Sequence, residues 1–213
     1  MLKELTIAAL LAWKPNFQES MMPVTIPDRP FESFQKIARA KQGFGCVITE
    51  KLDGTNGQIV IENGAIVGVG SRNRWISPGK STDNYGFARF VEENEEEIVT
   101  KLGDGEHFGE WWGSGIQRGY GLTNDEKRFS LFNSSRWSAP ESRPSCMGVV
   151  PVLYAGEFSR AAINGVMREL SVSGSIAAPG FMKPEGIVIY VPGSKTLFKE
   201  TFEFSEGKWK AAA

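Results

Sequence analysis

The sequence predicts an α+β fold built mainly of antiparallel sheets with flanking helices. Three observations predict it. Short apolar runs recur at strand length, several joined by tight turns. Two segments carry helical periodicity instead. The regular strand–helix alternation that a parallel, doubly wound sheet requires is missing.

Taken in order, Phe44–Glu50 (FGCVITE) reads as a buried strand. Gln58–Glu62 and Ala65–Gly70 flank Asn63-Gly64, a hairpin signal, because both central residues of a type I′ turn need positive φ. Asp83 is placed to cap a helix from about Tyr85 to Leu102, with Phe87, Phe90, Val91 and Ile98 near one face and the EENEEE run on the solvated side. His107–Trp112, Arg128–Trp137 and Val149–Tyr154 read as strands, and Gly113–Thr123 as a glycine-rich loop. Pro140 and Pro144 mark a polar surface loop over 138–145. Ser159–Ser173 reads as an amphipathic helix carrying Ala162, Ile163, Val166, Met167 and Leu170, ended near Gly174. Gly186–Val191 and Thr196–Phe204 form a last strand pair through Pro192-Gly193.

The chain has 213 residues, 41% hydrophobic and 23% charged, an ordinary globular composition with room for one well-buried core. No apolar run approaches the ~20 residues that cross a bilayer. The N-terminal MLKELTIAALLAW lacks a clear cleavage site, so it reads as a structured or partner-facing segment rather than a signal peptide. Residues 1–43 are expected to form a leader on or beside the core, and 44–213 the main domain. Cys46 and Cys146 sit in no metal-type spacing and suit a reducing cytoplasm. A net charge of −1 excludes a globally basic polyanion binder, so any nucleic-acid contact must come from a local basic surface. Lone His107 leaves histidine-based triads little to draw on.

The chemically dense segment is Glu50-Lys51-Leu52-Asp53-Gly54-Thr55-Asn56-Gly57. A lysine closes an apolar strand and a tight polar turn follows. Lysine attacks only when deprotonated, and its reference pKa is about 10.4, so a nucleophilic lysine needs desolvation or neighbouring cationic charge. A strand end facing a pocket supplies both. From these residues alone, a solvated turn lysine beside an ordinary Asp-Gly turn is the favoured reading.

EKLDGTNG resembles motif I of the covalent nucleotidyltransferases, and within them the ATP-dependent RNA ligases of the phage-type and RNA-editing branch. The resemblance implies a nucleotide pocket between sheets and makes Lys51 the residue that forms lysyl-AMP. Glu50 and Asn56 match family positions around the nucleoside, and Asp53 is the usual acid of the motif, expected with them in the nucleotide-binding set. Further motifs follow in order. In Ser71-Arg72-Asn73-Arg74, Arg72 matches a ribose or phosphate contact, a role suited to the planar guanidinium fork. Glu110 of Phe108-Gly109-Glu110-Trp111-Trp112 matches a ribose contact. Arg128-Phe129-Ser130-Leu131-Phe132-Asn133 matches the motif whose aromatic packs on adenine. Phe132 is the preferred match, with Phe129 the alternative and the other of the two in the core, and Asn133 stands where the family usually has aspartate. Glu185 of Lys183-Pro184-Glu185-Gly186 matches the position that holds the divalent metal. Lys199, with Lys195 nearby, matches the lysines against the phosphates.

The resemblance implies ATP as AMP donor, Mg²⁺ or Mn²⁺, and RNA with 5′-phosphate and 3′-hydroxyl ends as partner, with DNA as an alternative. It implies a role in RNA repair, no membrane, and the cytoplasm, that of a host if the chain is phage-encoded. A related DNA ligase, capping-type or end-adenylylating enzyme stays open, as does a non-enzymatic nucleotide- or nucleic-acid-binding module. The chain stops soon after Lys199, so no separate C-terminal substrate domain is expected. Strand contacts then fall to Arg118, Lys127, Arg128 and the Gly113–Gly121 loop, which reads equally as a flexible connector.

Overall fold

The computed structural model describes residues 45–202. The expected leader 1–43, Phe44 of the first strand and the end of the last strand at Phe204 lie outside the described residues. In chain order the strands are β1 (Gly45–Lys51), β2 (Thr55–Glu62), β3 (Ala65–Gly70), β4 (Trp75–Ile76), β5 (Gly105–Gly113), β6 (Lys127–Leu131), β7 (Met147–Val149), β8 (Val152–Glu157), β9 (Gly186–Val191) and β10 (Thr196–Thr201). The helices are α1 (Phe87–Glu93), α2 (Glu95–Leu102), the short α3 (Ser134–Trp137) and α4 (Arg160–Ser173). A four-stranded sheet runs β10-β9-β1-β8 and a six-stranded sheet runs β4-β3-β2-β5-β6-β7. Every pairing is antiparallel except β6 with β7. The α+β expectation holds.

Alternation along the strands decides which face each sheet buries. On the larger sheet Ile59, Ile61, Phe129 and Leu131 face Phe87, Val91 and Ile98 of α1 and α2. Phe87 packs tilted against Phe129 at 4.8 Å between centroids and against Trp111 at 5.6 Å. On the smaller sheet Cys46, Ile48, Ile187 and Ile189 take Ile163, Val166, Met167 and Leu170 of α4. Each such aliphatic side chain contributes roughly 1.5–3 kcal/mol by leaving water. Ser159 caps α4, its Oγ accepting from Ala162 N at 3.1 Å. No helix among the described residues is long and apolar enough to cross a membrane.

Several expected elements are subdivided. The helix expected from Tyr85 begins at Phe87, because Tyr85 and Gly86 have φ of 52° and 81°. Asp83 still supplies the cap, its carboxylate accepting from Ala88 N (2.8 Å) and Arg89 N (3.1 Å). Asn94 divides the helix, its side chain donating to Phe90 O at 2.7 Å and competing with the backbone ladder. Arg128–Trp137 is strand only to Leu131. Asn133 then caps α3, accepting from Arg136 N at 3.2 Å, a role that needs no carboxylate charge. Val149–Tyr154 is two strands on two sheets. Pro151 has no amide to continue a ladder, so the chain steps across: Val150 N donates to Leu131 O, and Pro151 O accepts from Glu50 N at 2.9 Å.

The chain thus crosses between sheets twice at neighbouring places, at Leu52–Gly54 and at Val150–Pro151. Leu52, Trp112, Tyr120, Val150 and Ala178 form a third buried cluster. Lys51 sits where β1 delivers the chain to that crossing.

Candidate active site

Strand alternation turns Cys46, Ile48 and Glu50 of β1 toward α4 and leaves Val47, Thr49 and Lys51 on the other face. Lys51 pairs in register with Gly186, the first residue of β9. Gly186 has φ of 151°, and a Cβ there would come within 2.1 Å of Glu200 O, so glycine is required. That close approach places Glu185 beside the strand end. Lys51 Nζ donates to Glu185 Oε2 at 2.5 Å, with side chains 23% and 17% exposed.

The turn after Lys51 is held on every side. Asp53 N donates to Tyr120 OH at 3.0 Å, and Tyr120 OH donates to Lys51 O at 3.3 Å. Arg118 Nε donates to Asp53 Oδ2 at 2.8 Å. Gly54 N donates to Glu110 Oε1 at 3.1 Å. A Cβ on Gly54 would lie 2.3 Å from Trp111 O and 2.8 Å from Trp112 Cβ, so the turn passes against β5 only as glycine.

The loop over 113–123 is therefore anchored. Ile116 and Tyr120 are both buried, and Arg118 is engaged with Asp53. Burial raises the Tyr120 phenol well above the ordinary tyrosine range, so its hydroxyl keeps its proton as a donor. Lys127 pairs with Asp125, and Arg128 with Glu126 at 2.6 Å. All three basic residues expected to meet a strand thus already hold a carboxylate.

Glu110 stands opposite Asn56 in the β2–β5 ladder and accepts from Asn56 Nδ2 at 3.4 Å. Burial pushes its carboxyl up to about 7, against the lowering pull of the Lys51 charge and the Gly54 N–H; Glu185 and Asp53 push the same way as burial. Glu185 thus pairs directly with the ammonium, and Glu110, which feels the Lys51 charge, is a proton site near neutrality beside it. Phe132 is exposed on the Glu110 face of the larger sheet, while Phe129 is fully buried on the opposite face.

Other sequence-predicted residues lie apart from this cluster. Glu50 is 1% exposed, its Oε2 accepting from Ile176 N (2.9 Å) and Ala177 N (3.0 Å). Alternation directs it away from the Lys51 side chain, so the carboxylate fixes the loop around Ser175–Ala178. Arg72 lies in the β3–β4 turn, exposed and without a hydrogen bond or ion pair among the described residues. Lys199 is exposed on β10 opposite Val188, which in turn lies opposite Thr49. It therefore shares the Lys51 face, roughly 10 Å across and 7 Å along. His107 is buried on the helix side and contacts Gly103 O at 2.9 Å through Nε2, a structural place.

Sequence reasoning missed Tyr120, the Arg118–Asp53 pair and Phe108, which is exposed beside Phe132. The available signal for Tyr120 was an aromatic residue between two glycines, a pattern that holds a side chain inward on a tight turn.

Residues 45–206 match the model of a family described as RNA ligase. No curated protein matches the sequence. Among solved structures, Naegleria gruberi RNA ligase with pyrophosphate is similar at 22% identity and TM-score 0.58, over 79% of this chain and 52% of that one. A mutant of the Naegleria ligase with ATP and manganese matches at 21% identity and TM-score 0.59, over 78% and 52%. A third, a mutant with AMP and manganese, matches at 20% identity and TM-score 0.58, again over 78% and 52%. The chain spans about half the length of these proteins, and at such identities the likeness establishes a shared fold.

Proposed function

Because its residues 45–206 match that model, the chain belongs to the RNA ligase family, and we propose that it is an ATP-dependent RNA ligase in which Lys51 carries the AMP. The observation that carries this reading is the half-buried Lys51–Glu185 pair at the crossing between sheets, with Glu110 and Asp53 around it. A lysine serving only solubility has no need of that enclosure.

In the first step Lys51 Nζ, as the free amine, attacks the α-phosphorus of ATP. A P–N bond forms and the P–O bond to pyrophosphate breaks. Glu185 holds Nζ before attack, and the neighbouring carboxylates offer a place for the proton it must shed. In the second step an oxygen of the RNA 5′-phosphate attacks the same phosphorus, the P–N bond breaks and Lys51 regains its proton. In the third the RNA 3′-hydroxyl attacks the activated 5′-phosphate and AMP leaves. Each step is phosphoryl transfer, in which positioning and charge neutralisation dominate. The brackets on Asp53, Gly54 and the Lys51 carbonyl supply the positioning.

Asn56 and Glu110 are assigned to the ribose, Phe132 to the adenine, and Arg72 and Lys199 to phosphate oxygens. Asp53 orients the turn through Arg118, and Glu50 supports it from behind. A divalent cation would neutralise phosphate charge, and Glu185 is the residue that would hold it. Among the described residues no cluster of three metal-ligating side chains exists, which suits Mg²⁺ or Mn²⁺ held largely by phosphate and water. Two free cysteines fit the cytoplasm.

The test supplies RNA with 5′-phosphate and 3′-hydroxyl ends, ATP and Mg²⁺, beside DNA of the same sequence. Joined RNA with release of AMP supports the reading. AMP left on the 5′ end without joining supports an end-adenylylating enzyme, and joining of DNA alone a DNA ligase.

A further inference from the structure

The face of the larger sheet that carries Glu110 also carries a line of flat side chains. Register places them in one transverse row. Trp75 pairs with Gly70, Gly70 with Gln58, and Gln58 with Phe108. Phe132 N donates to Phe108 O at 2.9 Å and closes the row. It lies one pleat from the Asn56–Glu110 row, roughly 7 Å along the strands.

Three of these residues are aromatic and open to solvent: Trp75 is 65% exposed, Phe108 47% and Phe132 41%. The two residues of β3 under Trp75 have no side chains. A Cβ on Gly68 would come within 3.0 Å of Trp75 Cζ3, and one on Gly70 within 3.4 Å of Cε3. The indole therefore lies flat against β3 with its outer face free. It makes no hydrogen bond or ring contact among the described residues. Tryptophan combines a large apolar face with a polar N–H, which suits it to interfaces, and nothing in the described core uses this one.

Charge around it favours an anionic partner. Arg72 and Lys80, on the loop that carries Trp75, are exposed and without ion pairs among the described residues. Arg74 ties that loop down, donating to Thr82 O and Asp83 O at 3.0 Å. Asp83 turns its carboxylate inward onto helix amides. Glu106 and Glu110, one pleat to either side of Phe108 on β5, are acids on this face; Gln58 Nε2 donates to Glu106 at 3.4 Å and Gly54 N to Glu110 at 3.1 Å. Trp75 and Phe108 stand about three strand spacings apart, roughly 14 Å, so they cannot share one base.

We infer that Trp75 is a stacking site for an unpaired nucleobase of the RNA strand, separate from the Phe132 position assigned to adenine. The inference rests on the RNA ligase reading for the identity of the strand. Flat aromatic faces beside cations are how proteins take unpaired bases without reading their sequence.

The test measures binding of a 5′-phosphorylated single-stranded oligoadenylate to the full chain, beside the same strand without bases, and covalent labelling by α-labelled ATP in parallel. Trp75→Ala should weaken RNA binding ~5- to ~150-fold, the range of one lost base stack, while labelling stays at the wild-type level. Trp75→Phe should keep most of the affinity. Against the base-free strand, wild type and Trp75→Ala should bind alike. Unchanged RNA affinity in Trp75→Ala overturns the inference, above all if the unfolding temperature falls and shows that another segment of the chain covers the indole. An equal loss against the base-free strand, or a matching loss of labelling, also overturns it. If the wild type takes no label, the ligase reading fails, and the RNA titration still decides whether Trp75 stacks a base.

Discussion

Glu110→Gln tests the electrostatic account of the site through stability alone. Burial raises the Glu110 carboxyl from the ordinary 4.5 to about 7. The folded state therefore holds this proton more tightly than the unfolded chain. Its contribution to stability is fully present below about 4.5 and is lost as pH rises through about 7. At roughly 1.4 kcal/mol per pH unit, that interval amounts to on the order of 3 kcal/mol. Glutamine keeps the shape and an acceptor for Gly54 N, and the Asn56 amide can turn to offer its oxygen. Urea unfolding of both proteins at pH 5 and pH 8 gives the four values needed. His107 has its pKa lowered by burial and acts with the opposite sign, but equally in both proteins. The wild type should lose more stability than Glu110→Gln between the two pH values, by on the order of 3 kcal/mol. Equal losses would refute the claim that Glu110 is held above its ordinary range.

Two further substitutions probe the brackets around Lys51. Tyr120→Phe removes the hydroxyl between Asp53 N and Lys51 O, taking from the Asp53 amide its acceptor there at a cost of about 1–3 kcal/mol. The kcat of lysine labelling should fall with the KM for ATP little changed, and an unchanged kcat would remove Tyr120 from the positioning set. Gly54→Ala drives a Cβ into Trp111 O and Trp112 Cβ, neither of which can swing aside. Thermal unfolding should show a loss of about 3 kcal/mol or more, with labelling abolished; a stable, active variant would mean that the turn does not pass β5 this closely.

How much of this was legible in the sequence depended on whether chemistry or geometry set the residue. Lys51, Glu110 and Glu185 stand far apart in the chain, yet their types and order marked them, and the structure gathers them around one ammonium. The Asn63-Gly64 hairpin was legible because positive φ at both positions restricts residue choice, and both have it. The run Val149–Tyr154 misled because apolar periodicity is blind to which sheet a strand joins; only Pro151 betrayed the crossing. Arg128–Trp137 misled similarly, its aromatic residues continuing past the point where Asn133 begins a helix. Tyr120 and Arg118 were hidden because their partners are a backbone amide and a carboxylate some 65 positions upstream. Glu50 illustrates the reverse: neighbouring Lys51 in sequence places it on the opposite side of the strand. Trp75 left no trace, since the platform exists only once register aligns it with Gly70 and Phe108.

The central claim is that Lys51 is the nucleophile. The most direct measurement incubates the purified protein, cleared of bound AMP, with α-labelled ATP and Mg²⁺, beside Lys51→Ala, and follows label on denatured protein. The account predicts label on the wild type, mapped to Lys51 and absent from the variant. Label retained by Lys51→Ala, or no label on an AMP-free wild type, would contradict it.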